Sequence, residues 1–164
     1  MRSETKRIAL GGVLAAFGVV IMCLGGFIPI ATYVCPMLCC MTEFIVMRFC
    51  GKRIAWTWFC VVSLLSIIMS PDKEAVLVFI AGGYYPILKP VVERSKLTFV
   101  LKLLYFNSSI LAAYAIMIRL LGMQEIAVEN AELGMIGLAT IIILGNVTFL
   151  LLDRLLSIME ARFR

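Results

Sequence analysis

The sequence predicts an all-α integral membrane protein, a single domain of six transmembrane helices over residues 1–164. Hydrophobic residues make up 63% of the chain and charged residues only 15%, whereas a soluble domain carries about 45–50% and about 25% respectively. A transmembrane helix needs about 20 mostly apolar residues. Six such helices with short connections would use almost the whole chain, which leaves no length for a soluble domain.

The first three spans are predicted at residues 8–28, 34–50 and 54–69. Pro29 ends the first apolar run, Gly51 to Arg53 separate the second from the third, and Pro71 follows the third. The basic residues before the first run resemble the start of a signal peptide. However, the run is longer than the apolar part of a signal peptide, which has about 7–15 residues, and no clear cleavage site follows it. We therefore expect a retained first span.

The last three spans are predicted at residues 74–90, 98–121 and 133–152, followed by a polar helical tail. Lys89 and Pro90 close the fourth span, because proline cannot continue a helix without losing a hydrogen bond. Residues 122–132 are polar enough to form an extracellular loop, with an interfacial helix within the loop as an open alternative. This loop is the longest connection in the predicted fold.

Positive charges predict the orientation of the bundle. If the N-terminus is cytoplasmic, 13 of the 15 lysines and arginines fall in cytoplasmic segments, and only Lys73 and Arg119 fall outside. Membrane proteins show this bias because positive charges are retained on the cytoplasmic side. Both termini are therefore predicted to lie inside. The net charge of +5 then reflects topology rather than binding to nucleic acid.

Small residues form a stripe in the first span. Gly11 with Ala15, and Gly12 with Ala16, are spaced by four residues and so share a helix face. Small side chains at this spacing let another helix approach closely. From the spacing alone, packing within the bundle is favoured over docking of a partner protein.

Five residues are candidates for a ligand site in the outer half of the bundle: Tyr33, Glu43, Glu74, Arg119 and Asn146. Glu43 lies near the centre of the second span, where a carboxylate is costly unless water, a cation or a ligand reaches it. Glu74 and Arg119 lie at outer span ends, where anchoring at the membrane interface is an equal alternative. Asn146 would serve a ligand or, more simply, a hydrogen bond between helices.

Neither a metal site nor an active site is predicted. Cys35, Cys39 and Cys40 form a cluster with soft ligand atoms, but structural zinc sites combine two such pairs and no second pair exists. The chain has no histidine, which removes the commonest general base. We therefore expect apolar packing for the cysteines, no cofactor and no enzymatic activity.

The basic N-terminus, the small-residue stripe and the proline before the second span resemble the substrate-binding S-component of energy-coupling factor (ECF) transporters. The stretch from Gly83 to Lys89 also looks like one found in uncharacterised members of that group. The resemblance implies a six-helix subunit in the bacterial cell membrane that captures a vitamin, a precursor or a similar micronutrient. It also implies three partners, namely a transmembrane coupling protein and two cytoplasmic ATPases.

The family docks on its coupling protein through an Ala-x-x-x-Ala motif in the first helix. Here the matching positions carry glycine and alanine, which keeps the small size but leaves two registers open. The alternative is a membrane scaffold similar to the MreD type of rod-shape protein, which has a similar length and needs no ligand pocket. Convergence of the outer polar residues on one site would favour transport, whereas local pairing would favour the scaffold.

Overall fold

In the computed structural model, backbone is described for residues 2–25, 31–93, 98–120 and 124–162. The description of side chains leaves out 2–3, 31, 33, 113–114, 117–120, 124–141 and 144. These ranges are helical and contain no strand, which confirms the all-α prediction. The helices are α1 (Arg2–Leu24), α2 (Ala31–Cys50), α3 (Lys52–Met69), α4 (Lys73–Gly82), α5 (Tyr85–Val92), α6 (Thr98–Leu120) and α7 (Gln124–Arg162).

The chain divides into two compact units, Met1–Ser95 with α1 to α5 and Lys96–Arg164 with α6 and α7. In the first unit, α2 is the central helix, because it packs against α1, α3, α4 and α5. Its side chains are buried on several faces, including Cys39, Phe44 and Val46. Two polar residues in the middle of α2, Thr42 and Glu43, therefore lie in the interior of the unit.

A single glycine separates α2 from α3, as the short predicted boundary indicates. Gly51 has a φ of 98°, a conformation that side chains with a Cβ rarely adopt. Its N–H donates to the Met47 carbonyl at 3.2 Å, and its own carbonyl accepts from the Ala55 N–H at 3.1 Å. The two helices therefore connect through one residue without losing these backbone hydrogen bonds.

The predicted fourth span is one apolar segment that contains a break between α4 and α5. Pro86 explains why the helix does not continue, since proline removes a backbone donor and clashes with the carbonyl four residues earlier, on Gly82. At the break, the Gly83 N–H donates to the Phe79 carbonyl at 2.6 Å. A Cβ at Gly83 would collide with that carbonyl and with the Phe79 ring, so this position requires glycine.

Helices α6 and α7 are joined by one aromatic pair and by two polar pairs, Lys102–Asp153 and Asn107–Asn146. Lys102 Nζ donates to Asp153 Oδ1 at 3.0 Å and to Oδ2 at 2.8 Å. One helical turn away, Phe106 and Phe149 stack with ring centroids 4.5 Å apart. The polar pairs fix the register of the two helices, because each donor faces its acceptor at only one alignment.

The second unit differs from the prediction at residues 122–132. An extracellular loop, with an interfacial helix within it as the alternative, was expected there, whereas α7 begins at Gln124 and runs for 39 residues without interruption. Glutamine, glutamate, alanine and leucine dominate its first turns. These residues have high helix propensity although most are polar, so polarity was a poor indicator of a loop.

Three helical segments in the described ranges are long and apolar enough to cross a bilayer: Glu4–Leu24, Lys52–Met69 and Lys73–Val92. The third includes the break between α4 and α5. Large apolar side chains also remain exposed on the surface, among them Val13 and Ile68. These features are compatible with a membrane protein.

Candidate functional site

The junction between α3 and α4 ties the first four helices together at one end. Ser70 Oγ donates to the Met22 carbonyl at the end of α1, at 3.0 Å. Asp72 caps α4, with Oδ1 accepting from the Ala75 N–H at 3.0 Å, and its Oδ2 accepts from Thr32 Oγ1 on α2 at 2.8 Å. Both oxygens of the Asp72 carboxylate are therefore already engaged.

Glu43 lies in the interior of the first unit, on the central helix α2, and its exposed fraction is 0%. Neither carboxylate oxygen has a hydrogen-bond partner in the described part of the chain. An isolated buried charge costs several kcal/mol even after relaxation of the surroundings. Glu43 is therefore a site that gains stability when a proton, a cation or a hydrogen-bond donor reaches it.

The two thiols one helical turn before Glu43 donate elsewhere. Cys39 Sγ lies 3.4 Å from the Gly18 carbonyl on α1, and Cys40 Sγ lies 3.8 Å from the Gly83 carbonyl at the helix break. Both geometries are those of weak S–H hydrogen bonds to backbone acceptors. Both S–H donors are therefore already used by backbone carbonyls, and neither is available to the Glu43 carboxylate.

Trp58 on α3 supplies an unpartnered donor to the same interior. Its exposed fraction is 2%, and its Nε1 has no hydrogen-bond partner among the described residues. The indole packs against α1 so closely that a Cβ at Gly18 would lie 2.8 Å from the ring. Because Cys39 also contacts Gly18, the indole and the Glu43 segment of α2 meet the same residue of α1.

Trp58 and two buried serines on α3 were not among the residues predicted from sequence. The hydroxyls of Ser63 and Ser66 are buried and have no partner within the described ranges. The buried residues of α3 include Trp58, Ser63 and Ser66. Positions 58, 62 and 66 are four residues apart and therefore lie on one helix face. That spacing, with two serines inside an apolar span, was the available signal for a polar interior face.

Glu43 and Glu74 lie at different levels of the first unit. Thr32 contacts Asp72 and Cys40 contacts Gly83, so α2 and α4 run in the same direction. Glu74 is two residues from Asp72, whereas Glu43 is eleven residues beyond Thr32. At 1.5 Å per residue, that separation is about 16 Å along α2. A small ligand at Glu43 therefore does not reach Glu74, which is half-buried in the first turn of α4.

Of the other three candidate residues, the structure describes the side chain of Asn146. The side chains of Tyr33 and Arg119 lie outside the described residues. Asn146 forms reciprocal amide hydrogen bonds with Asn107 on α6, at 3.2 and 3.1 Å. Its Nδ2 also donates to the Ile142 carbonyl at 2.8 Å. Asn146 therefore joins α6 to α7, which is one of the two roles considered for it.

The small residues of α1 separate into two faces. Gly11 and Ala15 are buried, and a Cβ at Gly11 would lie 3.0 Å from the Ile54 side chain on α3. Gly12 and Ala16 are exposed, and nothing lies within 4 Å of a Cβ placed at Gly12. The first pair therefore serves packing inside the bundle, and only the second pair is accessible to another helix.

The cysteines are free thiols. In the ranges that the structure describes, no group of three or more histidine, cysteine, aspartate or glutamate residues could hold a metal ion. Cys35, Cys39 and Cys40 are buried within α2, as apolar packing requires.

No protein-family model, no curated protein and no solved structure matches this chain. Function is therefore inferred from the residues and their geometry.

Proposed function

We propose that this protein is the substrate-binding membrane subunit of an ECF-type ABC transporter. It would capture a small molecule on the outer side of the cell membrane for ATP-driven uptake by its partner subunits. The observation that carries this proposal is Glu43, which is fully buried on the central helix and has no partner among the described residues. A carboxylate in such a position costs stability, and ligand binding is the function that makes use of it.

The proposed arrangement has six spans with both termini inside, of which three helices are long and apolar enough by themselves to cross a bilayer. In this arrangement α1, α2 and α3 are the first three spans, α4 and α5 together form the fourth, and α6 and α7 are the last two. The end of the first unit held by Asp72 then faces outward. Broken helices in transporters often line a binding site near the bilayer midplane, and the break at Gly83 contacts α2 one turn from Glu43.

The exposed face of α1 is the proposed docking surface for the coupling protein. Gly12 and Ala16 lie on this face together with Val13 and Phe17, which are 68% and 56% exposed. Two small residues flanked by large apolar ones let a partner helix approach closely while apolar side chains pack around it. The buried pair on the neighbouring face is already used by α3.

A scaffold of the MreD type is the second candidate, and one observation favours it. The Asn107–Asn146 pair satisfies two polar side chains locally between α6 and α7, as a purely structural bundle requires. The same explanation fails for Glu43, since a scaffold gains nothing from an unpartnered carboxylate. Partner identity separates the two candidates.

The experiment that tests the proposal compares two exposed alanines. Ala16→Leu should fold normally but abolish co-purification of the coupling protein and its ATPases, because leucine prevents close helix approach. Ala112→Leu, at an exposed position of α6, is the matched control and should retain all three partners. If Ala16→Leu retains them at the wild-type yield, the proposed docking face is wrong.

If the wild-type chain brings down no coupling protein and no ATPase, the transport function itself is contradicted. Co-purification of cell-wall elongation proteins in their place would favour the scaffold.

A further inference from the structure

We propose that the ligand of this protein carries a protonated amine, which binds the Glu43 carboxylate inside the first unit. This inference rests on the proposed function, because it names the chemical class of the captured molecule. It is drawn from the charges and hydrogen bonds of the described residues around α2.

Glu43 has an unbalanced charge and unsatisfied hydrogen-bond acceptors within the described residues. Two carboxylate oxygens lack a donor, and the nearest thiols donate to the carbonyls of Gly18 and Gly83. A partner that leaves Glu43 ionised must therefore bring its own donors and a positive charge. Among common small-molecule groups, a protonated amine provides both, with up to three N–H donors.

The buried Lys89 of the first unit does not supply that positive charge to Glu43. Lys89 is 2% exposed, and its Nζ lies 3.7 Å from Glu93 Oε1 on the next turn of α5. Asp72, by contrast, is a carboxylate whose two oxygens both accept hydrogen bonds from the protein. Glu43 thus differs from Asp72, because neither of its carboxylate oxygens accepts a hydrogen bond from the described residues.

The metal alternative is disfavoured by the donor set. Calcium and magnesium bind several oxygen ligands, and soft metals need several thiolates or imidazoles. The described residues contain no cluster of three metal-ligating side chains. A single carboxylate suits one ammonium group better than a multivalent ion.

Trp58 adds two features that suit the same ligand. Its Nε1–H has no acceptor among the described residues and could donate to a hydroxyl or carbonyl oxygen of the ligand. Its ring and the Phe79 ring, with centroids 6.4 Å apart at an interplanar angle of 81°, contribute aromatic surface to the core of the unit. Aromatic faces attract cations, so the interior favours an amine with an apolar body.

The test uses Trp58 as its reporter. The chain has two tryptophans, so Trp56→Phe leaves Trp58 as the single indole. The detergent-purified variant is titrated with benzylammonium, benzyl alcohol and benzoate, which share one shape and differ in charge. We expect benzylammonium to change the indole emission at the lowest concentration, followed by the alcohol, with benzoate last.

Substitution of the carboxylate gives the second readout. Glu43→Gln removes the negative charge that the ammonium group binds. Because a hydrogen bond to a charged group is stronger than one between neutral groups, benzylammonium binding should weaken roughly 10- to 150-fold. Glu4→Gln removes a carboxylate at an exposed position and should leave binding unchanged. If Glu43→Gln fails to fold, the ranking of the three probes on the parent protein still decides the question.

Equal responses to benzylammonium and benzyl alcohol, including no response to either, would overturn the assignment of a cationic ligand. Unaltered benzylammonium binding by a folded Glu43→Gln variant would overturn it as well. Either result leaves the transport function standing if the coupling protein and ATPases still co-purify, so the two failures are distinguishable.

Discussion

Loss of the Asp153 carboxylate should destabilise the second unit strongly. Lys102 Nζ lies 2.8 Å from Asp153 Oδ2, and the two side chains are only 10% and 15% exposed. Removing one member of a buried ion pair costs about 3–5 kcal/mol, whereas an exposed pair contributes about 0–1 kcal/mol. With this small residual exposure, we expect Asp153→Leu to lower the free energy of unfolding by about 2–4 kcal/mol.

The assay is reversible unfolding in mixed micelles by a denaturing detergent, followed by far-ultraviolet circular dichroism. Arg154→Leu is the matched control, because Arg154 is the adjacent charged residue and is exposed; its effect should stay within about 0.5 kcal/mol. The double variant Lys102→Met with Asp153→Leu should recover most of the loss, since it leaves no unpaired charge. A loss below about 1 kcal/mol for Asp153→Leu would refute the role of a buried ion pair.

Two further predictions concern the helix break and the topology. Gly83→Ala should lower the free energy of unfolding by about 1–3 kcal/mol, because the added Cβ meets the Phe79 carbonyl. Gly82→Ala is the control and should leave stability unchanged, since nothing lies within 4 Å of a Cβ at that position. Equal thermal stabilities of the two variants would contradict this. In a background without native cysteines, Pro71→Cys should react with an impermeant maleimide on intact cells, and Glu160→Cys only after permeabilisation. Labelling of position 160 from outside would show that the C-terminus is not cytoplasmic.

Much of the helical layout could be predicted because apolar runs and breakers act locally. Gly51 marks the boundary between α2 and α3, and Pro71 lies in the connection between α3 and α4. The segment after residue 122 was harder, because polarity and helix propensity point in opposite directions there. The break at Gly83 depends partly on its close contact with Phe79, although the nearby prolines already indicate an irregular helix.

One residue of the candidate site, Glu43, could be predicted from the sequence, whereas the residues packed around it could not. A carboxylate at the centre of an apolar run identified Glu43 from sequence alone. The burial of the Trp58 indole, however, depends on how closely α1 approaches at Gly18, which no local pattern encodes. Likewise, the spacing of small residues in α1 allowed two faces. Only the packing of Ile54 shows that Gly11 lies inside and Gly12 outside.

The most direct test of the central claim is native mass spectrometry of the tagged wild-type chain, extracted gently from the membranes of its own cells. We expect the wild-type chain to release one small molecule in near-stoichiometric amount, and the Glu43→Gln variant to release much less. A wild-type chain that carries no small molecule, although it is folded and taken from cells in rich medium, would contradict a substrate-binding role.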